Sequence, residues 1–145
     1  PMTLASDLLR HRSAILETWV DRTLASYPSP TASRLKREKD PFHNPVGSTL
    51  RRELEALLDG VLEGSEPKDL APHLDAIGRI RAIQDFSPSG AIGFVFDLKP
   101  ILRETAGKDA PARELLELES AVDGIALLAC LGKELVDIIE LEGVA

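Results

Sequence analysis

Arg79–Leu98, RIRAIQDFSPSGAIGFVFDL, is the stretch whose reading decides the fold. Ile77, Ile80 and Ile83 recur at helical spacing, so the stretch opens on the buried side of a helix. The helix breaks at Asp85-Phe86-Ser87-Pro88. Ser87 suits an N-cap, and Pro88 suits the first helical position, where no backbone donor is needed. The next helix carries Ala91, Phe94, Val95 and Leu98 on one side. Two helices thus meet at a tight corner that holds Phe86, Phe94 and Phe96, three of the four phenylalanines in the chain. A polar group, Arg79, Arg81, Gln84 and Asp85, shares the corner. Two readings fit it. One is an Arg81–Asp85 ion pair at i, i+4 spacing. The other is an anchor for a small anionic ligand beneath an aromatic lid, with Trp19 and Phe42 read as core first and as further lining second.

Working outward, every segment reads as helix. Met2–Ser26 carries Leu8, Ile15, Leu16, Trp19, Val20, Thr23 and Leu24 on one face, and Tyr27-Pro28-Ser29-Pro30 ends it. Residues 29–43 form a polar connection, with a short helix over Ala32–Lys39 and a basic run from Arg34 to Lys39 that reads as solvated loop. Asn44-Pro45 is a cap followed by proline, and it opens a helix bearing Leu50, Leu54, Leu57, Leu58, Val61 and Leu62 that Gly64 ends. Pro67 opens another helix with Leu70, Leu74, Ile77 and Ile80 on its buried side, in which Pro72 is a point of division. The Pro88 helix, kinked at Pro100, runs to about Ala106, and Gly107 ends it. Asp109 and Pro111 start a last helix reaching about Leu141, roughly 50 Å long at 1.5 Å per residue. No segment alternates with a period of two. The expectation is an all-α bundle of five or six helices with a long C-terminal helix, forming a single domain over residues 1–145. Pro1 reads as an addition in front of a natural start at Met2.

The last helix has two apolar stripes. Leu118, Val122, Ile125, Ala129, Val136 and Ile139 follow the seven-residue spacing of a helix–helix seam. Leu116, Leu127, Leu128, Leu131, Leu135 and Ile138 form the other. If the second stripe holds the helix to its own domain, the first is left for a partner, most simply the same helix of a second copy. The expectation is a homodimer through Leu118–Ile139; the competing reading is a central helix buried all round.

Composition removes several classes of function. The net charge is −7, with +3 over residues 1–39 and −10 over the rest, so a nucleic-acid backbone is a poor partner. One cysteine, Cys130, excludes an internal disulfide and fits the cytoplasm; it reads as a small core residue. Neither a signal peptide nor a membrane span is visible. His11, His43 and His73 have no partner at metal-ligand spacing and read as surface or capping residues. Ser87 and Ser89 read as caps, and Gly90, Ala91 and Gly93 as a site where another helix approaches closely. With no base–nucleophile pair and no phosphate loop, the chain does not read as an enzyme.

Three segments together carry a resemblance: RIRAIQDFSPSGAIGFVFDLK from Arg79, WVDRTLASYP from Trp19, and PFHNPVG from Pro41. They resemble the RsbRD N-terminal domain family, whose members are related to the RsbR co-antagonists of the RsbT kinase. The resemblance runs from about Trp19 to the end of the chain. It implies a globin-like fold without haem and no other cofactor, which agrees with the absence of any histidine after His73. It further implies a sensory or signal-relay role in a stress response, with a kinase or STAS-type protein as partner. In relatives the last helix leads into an output module. The alternative from another class is a carrier for a small molecule, fatty-acid-like or anionic, with no output domain.

Overall fold

The computed structural model describes residues 3–83 and 88–141, and among them there are seven helices and no strand. They are α1 (Leu4–Leu9), α2 (Arg12–Ala25), α3 (Ser29–Arg37), α4 (Pro45–Glu63), α5 (Pro67–Ile83), α6 (Pro88–Ala106) and α7 (Ala112–Leu141). The protein is an all-α bundle with a long last helix, as read from the sequence, and it fits a globin-like architecture. The count exceeds six because the first segment is two helices; the short helix expected over Ala32–Lys39 is α3, which begins earlier, at Ser29.

Local chemistry explains several of the boundaries. Thr3 and Ser6 form a reciprocal capping box at the start of α1, and the chain turns at Arg10-His11, where the His11 amide donates back to the Leu8 carbonyl at 2.9 Å. The turn lets Leu4 and Leu8 pack against α4, α6 and α7 while Ile15, Leu16, Trp19 and Val20 face α4 and α6. Helical periodicity continues through the turn, which is why the break is invisible in the pattern. The basic run Arg34–Lys39 is not loop throughout. Arg34, Lys36 and Arg37 form the last turn of α3, where cations face the negative end of the helix dipole.

Asn44 is buried and holds two elements at once. Its side-chain oxygen accepts from the Gly47 amide at 2.9 Å, capping α4, and its amide donates to the Leu35 and Glu38 carbonyls at 2.9 and 3.0 Å. Gly64 and Gly107 end α4 and α6 at φ of 77° and 83°. Pro72 does not divide α5; it lies in the second turn, on the exposed side, and removes one backbone bond. Pro100 likewise sits exposed within the continuous span of α6.

The core gathers Leu50, Leu54, Leu57 and Leu58 of α4 with Ile77 of α5 and Val95, Leu98 and Leu102 of α6. The last helix packs mainly on α5 and α6, and here the sequence reading is corrected. Leu118, Val122 and Ile125, expected at a dimer interface, are buried in the protein's own core, and Ala129 packs against it. Leu116 and Leu127, expected to hold the helix to its domain, are 62% and 59% exposed. Both stripes are apolar, so hydropathy could not tell the inner from the outer. Val136 and Ile139 have side chains outside the described set. Cys130 is exposed rather than in the core, and a side chain added at Gly93 would meet nothing, so no helix approaches there. A close approach is at Gly60 of α4, where an added Cβ would run into the Leu70 side chain of α5.

Val122→Glu should therefore cost about 3–5 kcal/mol in denaturant unfolding, because it places an unpaired carboxylate in the core. A loss under about 1 kcal/mol would return Val122 to the surface.

Candidate functional site

The corner residues come together through one buried cation. Arg81, near the end of α5, is 2% exposed. Its guanidinium carbon stands 5.7 Å from the ring centres of both Tyr27 and Phe94. Its Nη2 donates to the Gly90 carbonyl at 2.8 Å and to the Ser26 hydroxyl at 3.2 Å. One side chain thus fastens the end of α2, the end of α5 and the start of α6. An arginine suits this place because a flat, weakly hydrated guanidinium stacks on rings while donating in its own plane.

Trp19 completes the joint. Its indole N–H donates to the Phe94 carbonyl at 2.7 Å, and its ring lies 6.4 Å from that of Phe94, with 25° between the planes. Thr23, one turn on, returns its hydroxyl to the Trp19 carbonyl at 2.9 Å. Burial pushes the Arg81 pKa down, opposed by Tyr27 and Asp97, and pushes the Tyr27 hydroxyl up. Burial also raises the Asp97 carboxyl, opposed by Arg22 and Arg81.

Of the residues expected to line a ligand site, the structure brings Trp19, Arg81 and Phe94 together, as packed core. Arg79 is exposed on α5, and Phe42 stands 86% exposed, edge-on to His43, so both expectations are corrected. The alternation of faces along α5 separates Arg79 from Arg81, since neighbours two apart on a helix point differently. Gln84, Asp85 and Phe86, with the expected Arg81–Asp85 pair and the Ser87 cap, lie outside the described residues. Tyr27 and Ser26 were not anticipated. Their signal was the position of Tyr27 at the α2 end, just before Pro28.

Two clefts open elsewhere. One, of about 410 Å³, lies between α2, α3 and α4, with Val20, Leu24 and Leu35 as apolar lining. Its charged lining includes Glu17, which pairs with Arg51, and Asp21, 3.8 Å from Lys36. The other, of about 420 Å³, lies between the end of α6 and the start of α7. The histidines are structural or exposed: His73 Nδ1 is 2.5 Å from Glu53, His43 Nδ1 is 2.7 Å from Asp40, and His11 lies in the α1–α2 turn. Among the described residues no three His, Cys, Asp or Glu side chains are grouped to hold a metal.

A family model described as the RsbT co-antagonist protein rsbRD N-terminal domain matches residues 13–132. The chain belongs to this family. Curated proteins and solved structures give no match. The family match spans Trp19, Arg81 and Phe94, so the whole joint falls within it. It describes a regulatory domain rather than a known enzyme, and no helix among the described residues is long and apolar enough to cross a membrane.

Asp97→Asn tests the electrostatics of the joint. The folded state holds the Asp97 proton more tightly than the unfolded chain, so the penalty exists above the folded pKa and is relieved as pH falls through it. The amide should melt at or above wild type at pH 7–8, with the difference vanishing in acid. A clear loss at pH 7 would make Asp97 the necessary counter-ion of Arg81.

Proposed function

We propose that this protein is a regulatory domain that dimerises through the outer face of α6 and α7 and passes a signal along α7 to a kinase or STAS-type partner. Membership of the co-antagonist family supports the regulatory part. The observation that carries the dimer is an exposed apolar seam. Ion pairs Arg103–Glu119 at 2.5 Å and Lys99–Asp123 at 3.0 Å fix α6 antiparallel to α7, each step advancing one turn. The next turn brings Phe96, 47% exposed, level with Leu127. Leu131 follows one turn on, and Leu116 lies eleven residues back, within about 20° of Leu127 around the helix.

A second copy is the occupant this seam fits. It is a straight stripe, so a twofold axis lays it against itself. Among the described residues, the acids on this side of α7, Glu119 and Asp123, are already paired with Arg103 and Lys99, so self-contact does not oppose bare like charges there. In this account α7 carries the output because it packs on both α5 and α6, the helices that Arg81 fastens. A shift at the corner then repositions α7 as a packed unit. The carrier reading is second, and its place is the 410 Å³ cleft rather than the corner.

Leu127→Glu, with light scattering and circular dichroism at tens of micromolar, tests the dimer. Wild type should have twice the chain mass and the variant one chain mass with unchanged helicity. A wild-type monomer, or a variant that stays dimeric, would overturn the seam.

A further inference from the structure

The segment Glu38–Asn44 presents an aromatic ring to solvent on a backbone ordered by hydrogen bonds. Phe42 is 86% exposed. An aromatic side chain in water gains nothing from burial, so the loop would be expected to spend little order on it. Yet Asp40 organises the turn around it with four bonds. Its carboxylate accepts from the Phe42 amide at 3.0 Å and contacts His43 Nδ1 at 2.7 Å. Its carbonyl accepts from the His43 and Asn44 amides at 3.1 and 2.9 Å. The Asp40 amide in turn donates to the Glu38 carboxylate at 3.0 Å. Of the Asp40 bonds only the one to the Asn44 amide touches the residue that caps α4; those to Phe42 and His43 order the turn itself.

The loop is also tied to a basic helix end. Asn44 reaches back to the Leu35 and Glu38 carbonyls, which sets the tip beside the last turn of α3. Arg34, Arg37 and Lys39 are exposed there, in a chain whose net charge is −7. α3 packs on α2 and α4, so this corner is separate from the α6–α7 seam.

We propose that the Glu38–Asn44 tip and the end of α3 are a docking surface for a partner protein, with Phe42 as the anchor. The partner offers an apolar pocket for the ring and an acidic rim for Arg34, Arg37 and Lys39. Pre-ordering removes the entropy that a mobile loop would lose on binding, and one buried aromatic with flanking arginines is the pattern of an interface hot spot. A polyanion is a poorer fit. Glu38 and Asp40 alternate with the cations, and the acidic body repels an extended negative surface, whereas a protein rim can match a few charges locally.

A displayed library of random 16-residue peptides, selected on the whole chain, tests this. Enriched peptides should combine apolar residues with an excess of acids. They should bind at least tenfold more weakly to Phe42→Ala and to the double variant Arg34→Glu, Arg37→Glu, and more weakly at high salt. Both variants should keep the wild-type mass and helicity, so failure here is distinct from failure of the dimer. Peptides that bind Phe42→Ala as well as wild type, or that show no acid excess, or no enrichment at all, would overturn the proposal. Binding to phosphatidylglycerol vesicles or single-stranded DNA that requires Phe42 would overturn it in favour of a polyanion surface.

Discussion

The structure depends on a positive charge placed where water cannot reach it. Arg81 is buried between Tyr27 and Phe94, and desolvation opposes its charged form. Such a group is kept only if its surroundings repay the loss of water. Here two aromatic faces and acceptors from Ser26 and Gly90 do so, and they come from three different parts of the chain. Moving any of the three helices weakens several of these contacts together. The joint is therefore cooperative, and it sits where α2, α5 and α6 meet.

Under the proposed relay, the domain needs a second packing within a few kcal/mol of this one, and the desolvation of a buried cation narrows the margin between them. The Trp19 bond to the Phe94 carbonyl acts in the same direction as Arg81, since both fasten α2 to α6. The surface ion pairs Arg103–Glu119 and Lys99–Asp123 set the register of α6 on α7, and the proposed relay would pass through them to the outer seam.

Much of this was legible in the sequence. Asn44-Pro45, Gly64, Pro88 and Gly107 announce helix ends by their own backbone preferences, and the leucines of α4 announce a buried face. The α1–α2 break was not legible, because the apolar period runs through Arg10-His11 and only tertiary packing bends the axis. The two sides of α7 were exchanged for a related reason. Leu116 and Leu127 are as apolar as Leu118 and Val122, and the signal that separates them is ionic: Glu119 and Asp123 mark the seam toward α6. At the corner, the apolar faces that carry Trp19 and Phe94 were legible as core, while the sequence could not show that the charged Arg81 is buried between them. Phe42 read as core or lining, and nothing in its local sequence announces that the turn ordered by Asp40 leaves the ring in water.

Native-state hydrogen exchange on Arg81→Lys against wild type tests the central claim most directly. Lysine keeps the charge but loses the flat stack and the forked donors. The account predicts faster amide exchange at the end of α2, in the first turns of α6 and across Val122–Ala126 of α7, with α4 protected as before. Uniform loss of protection over all helices, or no change at α7, would show that Arg81 is an ordinary core residue and that the corner is not coupled to the last helix.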